Sequence, residues 1–246
     1  YAYHQQNQTE QATQDYLRAL AFDRESKNVL GITANQIYLA NIYSDSGDYS
    51  KAIQYYTEAL QYSPLGALNG FGNVALAQGN VIKAIDYYKQ TLTIAQHKEE
   101  WEEEGNALNN LAYAYRKQNN LIETEKYLRN AINVWQKLRD KLDDSNKISI
   151  FEKQLRTYYL LQQILIEQKK VTDSLEIFEL SRTRAFVELL TKRITPDKQV
   201  KDNNESPNIE KIKQIAQNQN STIVQYSIIN NKARINGQQK TKELKL

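Results

Sequence analysis

Ile37-Tyr38-Leu39-Ala40-Asn41-Ile42-Tyr43-Ser44-Asp45-Ser46-Gly47-Asp48-Tyr49-Ser50-Lys51-Ala52-Ile53-Gln54-Tyr55-Tyr56-Thr57-Glu58-Ala59 holds the fold of this chain in miniature. Leu39 and Tyr43 stand one helical turn apart, Gly47 supplies a stop, and Tyr49 to Tyr62 reads as a partner helix. Ala40 on the first helix and Ala52 and Ala59 on the second are small enough to let two helix axes approach closely. Tyr56 is large enough to fill the gap to the next pair.

The same spacing of small, large and small residues recurs along the chain: Ala12/Tyr16/Ala19, Ala52/Tyr56/Ala59, Ala84/Tyr88/Thr91, Thr124/Leu128/Ala131 and Ser174/Phe178/Ser181. From the second instance on, an apolar-then-small pair precedes it: Leu39-Ala40, Phe71-Gly72, Leu111-Ala112 and a degraded Leu161-Gln162. The instances begin 40, 32, 40 and 50 residues apart. Self-similarity at such a period predicts an all-α solenoid of about five stacked helix pairs, because one pair cannot bury its apolar face alone.

Local chemistry agrees with this reading. Gly79 repeats the role of Gly47, and Asn119 and Lys169 take that place further on. Ser63-Pro64 reads as a cap followed by proline at the first helical position, where the missing N–H costs nothing. The extra residues around Ser26 to Ile32, His97 to Gly105 and Leu138 to Ile150 fall between units, so they should lengthen helices or loops without breaking the stack. Glu99 to Glu104, around Trp101, reads either as a solvated helix face or as an acidic docking site.

Composition excludes several kinds of chemistry. The 246 residues contain no Cys, so disulfides, thiolate metal sites and a cysteine nucleophile are absent from this chain. His4 and His97 lie far apart without neighbouring ligands, so no metal site and no catalytic constellation is expected, and no cofactor. Net charge is only +3, with nine Lys/Arg against five Asp/Glu over residues 195–246, which argues for neither nucleic acid nor a membrane surface. No apolar run reaches the ~20 residues of a membrane span, and a cytoplasmic protein is expected. The chain starts at Tyr1 and has no Met, and its first repeat lacks most of a first helix, so the natural N-terminus is expected to lie upstream.

Gly70-Phe71-Gly72-Asn73-Val74-Ala75 matches the G-x-G-x-x-A form of a dinucleotide fingerprint. That motif needs a strand before it and a helix starting at it, whereas Ser63-Pro64 has already started the helix holding these glycines.

Leu39-Ala40-x-x-Tyr43, Gly47, Ala52, Tyr56 and Ala59 resemble the tetratricopeptide repeat, as do Leu111-Ala112-x-x-Tyr115 and Ala131. The resemblance covers residues 1–192 and implies a right-handed superhelix whose first helices line a concave groove. Thr124, Gln162 and Ser174 depart from its usual small aliphatic residues. The resemblance further implies a protein-binding scaffold. Its groove would hold Tyr38, Asn41, Asn73, Asn109, Asn110, Tyr113, Arg116 and Lys117.

An amide both donates and accepts, so a row of asparagines can grip the backbone of an extended protein or peptide segment whatever its side chains. Asparagine at these positions can equally bond a neighbouring helix or face water. Arg116 and Lys117 suit an acidic or C-terminal carboxylate group. Most of the tyrosines, Tyr56 and Tyr88 among them, read as packing residues. The sequence does not define an oligomeric state.

Past the repeats, 193–207 reads as a polar linker. Ser206-Pro207 opens a short helix, Thr222 to Ile229 is a β-branched strand, and Asn230 to Leu246 is polar, lysine-rich and expected to be disordered. The order of the Ser181-Arg182-Thr183-Arg184-Ala185-Phe186 helix, linker, helix and strand resembles the junction in bacterial, mainly cyanobacterial, proteins whose tetratricopeptide repeats precede a caspase-like CHAT domain. Residues 208–246 would then be the truncated start of that domain. The alternative function this implies is the regulatory arm of a cysteine protease whose His and Cys lie beyond Leu246.

Overall fold

The computed structural model describes residues 2–141, 144–181, 233–235 and 238–240. They fall into two compact units, with the division after Lys141. The first unit is seven helices: α1 (Ala2–Glu25), α2 (Val29–Asp45), α3 (Tyr49–Ala59), α4 (Pro64–Ala77), α5 (Val81–His97), α6 (Trp101–Lys117) and α7 (Leu121–Lys141). Each packs on the next in sequence. In addition α2 touches α4, and α4 touches α6, so the even-numbered helices form one layer and the odd-numbered helices the other. The layer whose members meet each other directly is the inner, concave one, because alternate helices of a curved stack come closer together on the side of smaller radius.

The small residues do what their spacing requires. Ala40, Ala52, Ala59, Ala84, Ala112 and Ala131 are all fully buried at the helix crossings. Where the chain has a hydroxyl instead, the hydroxyl bonds its own helix. Thr91 Oγ1 donates to the Tyr87 carbonyl at 3.1 Å and Thr124 Oγ1 to the Asn120 carbonyl at 2.8 Å. A satisfied Thr can therefore sit in a position that calls for a small apolar residue.

The turns follow one design. Gly47 and Gly79 take positive φ, and Lys27, Glu99, Asn119 and Lys169 take the same left-handed conformation without being glycine. At six turns the residue that follows does two jobs or one of them, Asp48 accepting from Lys51 N to cap α3 and Lys170 N closing the helix before it on the Leu165 carbonyl. The backbone N–H of Asn28 closes the preceding helix on the Asp23 carbonyl (2.8 Å), and its Oδ1 accepts from Gly31 N (3.2 Å) to cap the next. Asn80 and Asn120 repeat both bonds, while Glu100 makes only the backbone closure, on Ala95. Lys27 and Glu99 are not legible as turn residues, because neither side chain favours positive φ. The turn before α4 differs from the expectation: Ser63 occupies the cap position with no side-chain bond, and Pro64 alone marks the start.

The extra residues between units lengthen helices. The pair α3 and α4 has 11 and 14 residues, whereas α5 and α6 have 17 each and α7 has 21. Trp101 opens α6, and Glu102, Glu103 and Glu104 fill its first turn, where carboxylates favour the helix N-terminus. Lys141 Nζ sits 3.7 Å from the centroid of the Trp101 ring.

The second unit contains α8 (Asp144–Glu167) and a helical stretch over 171–181. Ile150, Gln154, Tyr158, Leu161 and Leu165 are buried along one face of α8, and Ser174, Ile177 and Ser181 along one face of the stretch after it. Lys169 turns the chain between them with φ 61°. In the tail, β1 (Ala233–Ile235) and β2 (Gln238–Lys240) pair antiparallel, with Arg234 opposite Gln239, in a segment expected to carry no structure. The Ser181–Phe186 helix beyond its first residue, the linker, the helix from Ser206 and the Thr222–Ile229 strand lie outside the described residues.

Candidate functional site

A repeated pair of side chains joins an inner helix to an outer one. Tyr56 on α3 is 1% exposed, and its ring passes between α2 and α4. Its Oη donates to Asn41 Oδ1 on α2 at 2.6 Å. Tyr88 on α5 is also 1% exposed, and its Oη donates to Asn73 Oδ1 on α4 at 2.7 Å. In both cases the residues are 15 apart in sequence, and in both the asparagine is exposed while the tyrosine is buried. The buried hydroxyls are thus satisfied at the solvent edge of the inner layer.

Two glycines on α4 make room for these rings. A Cβ on Gly70 would lie 2.2 Å from the Tyr56 ring, and one on Gly72 would lie 2.4 Å from the Tyr88 ring. The Gly70-x-Gly72 segment is therefore a double ring seat within a helix, approached by one tyrosine from each neighbouring odd-numbered helix. This is the physical content of the fingerprint-like motif.

The third inner helix, α6, solves the same position differently. Tyr113 follows Ala112 as Asn41 follows Ala40 and Asn73 follows Gly72. The residue 15 beyond Tyr113 is Leu128, which has no hydroxyl to place. Tyr113 is 45% exposed, with Lys117 Nζ 5.3 Å from its ring centroid. Two turns further along α7 a large ring comes from Trp135, which sits where a Cβ on Gly105 would come within 2.5 Å of it.

The other expected groove residues separate into three groups. Arg116 and Lys117 end α6, where cations also favour the helix C-terminus. Asn110 Nδ2 donates to Asn69 Oδ1 at 2.6 Å, which ties α6 to α4. Asn109 is half-buried beside it. Tyr38 is 50% exposed but stacks on Tyr16 of α1, with centroids 5.0 Å apart, and so belongs to the α1–α2 edge. Sequence patterning alone does not single out Asn69 or the hydroxyls of Tyr56 and Tyr88; an Asn and a Tyr repeating at fixed separation is the signal that could have found them.

Electrostatics give this face a direction. Burial, with Asp45 nearby, pushes the Tyr56 hydroxyl up to about 12. Burial, with Tyr113 and Tyr56 nearby, pushes Tyr88 up as well. Asp45 closes α2 and Arg116 with Lys117 closes α6, so the row runs from an acidic end to a basic one. Among the described residues no group of three His, Asp or Glu is placed to hold a metal, and no helix is long and apolar enough to cross a membrane.

Residues 65–137 match one model of the tetratricopeptide repeat and residues 34–65 match another, so this part of the chain consists of such repeats. No curated protein matches the chain. Among solved structures it is similar to the nearly identical TPR-like repeats ascribed to a kinesin light chain of Podosopora anserina. That likeness has 16% identity, 79% of this chain and 93% of that chain covered, and a TM-score of 0.52. A point variant of the same repeats gives 17% identity, 78% and 91% coverage, and a TM-score of 0.53. BtubC from P. vanneervenii is similar at 17% identity over 80% of this chain and 97% of that chain, with a TM-score of 0.45. The likeness to the Podosopora repeats is, at such identities, one of fold: a tetratricopeptide solenoid, an architecture that generally serves protein–protein interaction.

Proposed function

We propose that this chain is a non-catalytic scaffold whose α2–α4–α6 face holds an extended segment of a protein partner. The observation that carries this reading is the row Asn41, Asn73 and Tyr113, exposed at equivalent positions of three successive inner helices. An extended peptide repeats its carbonyls and amides along its length, and a regular row of polar side chains can bind such a ladder independently of sequence. Arg116 and Lys117 at one end favour a segment with an acidic residue or carboxylate terminus there.

Selection of phage-displayed peptides on the purified protein tests this. The expected result is enrichment of peptides with acidic residues towards one end, and loss of that enrichment in the Asn41→Ala, Asn73→Ala, Lys117→Ala variant with helicity retained. Equal enrichment by the variant contradicts the groove as the site.

A second reading rests on the element order over residues 178–229, which resembles the junction before a CHAT module. In it the solenoid is the regulatory arm of a cysteine protease. A coding sequence that continues past Leu246 into a His and Cys pair supports it, and one that stops there removes it.

A further inference from the structure

The two buried tyrosines do more than fill space, and their second role rests on the peptide-binding reading above. Each gives its hydroxyl proton to the Oδ1 of an exposed asparagine, at 2.6 Å from Tyr56 and 2.7 Å from Tyr88. An asparagine amide is ambivalent, with an acceptor on one side and two donors on the other. Once the oxygen is turned down to meet a phenol from the core, the Nδ2 group is left on the solvent side. Among the described residues neither Nδ2 of Asn41 nor that of Asn73 meets an acceptor.

We infer that Tyr56 and Tyr88 are positioning residues that fix the flip of Asn41 and Asn73, so that this part of the groove only donates and selects the carbonyl oxygens of an extended peptide. The rings are themselves held in one place by the seats at Gly70 and Gly72, so each hydroxyl meets its amide at a fixed point, and a phenol donates to an amide oxygen more strongly than it accepts from an amide N–H. The α6 position supports the pairing from the opposite direction. Leu128 offers no phenol, and the chain has Tyr113 there in place of an asparagine.

The consequence is a discrimination that packing alone does not produce. A donor-only surface reads carbonyls and is indifferent to whether the peptide nitrogens carry hydrogen. The probes are an oligoglycine peptide ending in two glutamates and its oligosarcosine counterpart, in which each N–H is N–CH3 and each carbonyl remains. Affinities are compared by NMR titration for the native chain and for the Tyr56→Phe, Tyr88→Phe double variant. Phenylalanine keeps both rings in their seats, so the fold is retained.

In the native chain the glycine and sarcosine peptides should bind alike. In the variant the released amides can also accept from peptide N–H groups, and the preference for glycine over sarcosine should rise by about threefold or more, the scale of one net hydrogen bond. An unchanged preference overturns the inference. The amide orientation is read independently of any peptide: in the native chain the Nδ2 protons should lack nuclear Overhauser contacts to the Tyr56 and Tyr88 rings and should gain them in the variant. Native Nδ2 protons lying against those rings overturn the inference even if both peptides bind. If neither peptide binds while the native amides are oriented as described, the positioning role of the tyrosines stands and the peptide-binding reading falls.

Discussion

The helices on either side of α4 and those around α6 build the same kind of helix pair with different plugs. Around α4 the large side chains are Tyr56 and Tyr88, seated on Gly70 and Gly72, and each ends in a hydroxyl at the concave surface. Around α6 the corresponding residue is Leu128, with Trp135 over Gly105 two turns further along α7. Both arrangements bury their plugs completely, so the stack tolerates either. Only the tyrosine version connects the core to the groove. Packing and the proposed recognition are therefore separable along this solenoid, and substitutions of plug and groove residues should have effects of very different size.

Tyr88→Ala should cost about 4 kcal/mol, because it empties a fully buried ring site that helix backbones cannot readily close. Tyr113→Ala, on the exposed side of the same face, should change stability by no more than about 0.5 kcal/mol. Urea titrations of the two variants check the contrast; equal losses would remove the distinction between plug and groove residue. Gly72→Ala comes next. Alanine would normally improve a helix interior by up to about 1 kcal/mol, but here its Cβ meets the Tyr88 ring. The clash should win, with a net loss of about 2 kcal/mol and a lowered melting temperature. Restored stability in Gly72→Ala with Tyr88→Leu would tie the cost to that ring.

Alkaline pH reads the tyrosine plugs themselves. Tyr56 titrates at about 12 in the folded chain against 10.0 for a free tyrosine, chiefly through burial. A raised folded value means that its contribution is fully present below pH 10 and is lost as pH rises through about 12, since the unfolded chain releases the proton first. Stability measured on both sides of pH 10 should fall less steeply in Tyr56→Phe, Tyr88→Phe than in the native chain. Leu128 contributes nothing to this slope. A small effect is expected at the turn between α5 and α6: Glu99→Gly relieves a left-handed residue with φ 56° and should stabilise by about 0.5–1 kcal/mol, seen as a rise in melting temperature.

The same contrast decides what is readable in the sequence. Ala52, Ala59, Ala84 and Ala131 disclose the repeat because close helix approach permits few residue types, and that constraint survives as spacing. Lys27 and Glu99 are silent because their conformation is imposed by the closures at Asn28 and Glu100 rather than by their own side chains. The asparagines are assignable to the groove and the tyrosines to the core. Their bond is not visible, because it joins two faces that periodicity treats separately. Asn69 and Asn110 meet across 41 residues, a distance at which no local pattern operates.

The proposed recognition of an extended segment turns most directly on the exposed row of α2, α4 and α6. Titrating the native chain with the oligoglycine peptide that ends in two glutamates, while following the side-chain amide resonances of Asn41 and Asn73 and the ring of Tyr113, tests that row as a whole. All three should shift together and saturate at one concentration, leaving residues on the outer faces of α3 and α5 unmoved. Shifts confined to α3 and α5, or none on the inner helices, would contradict it.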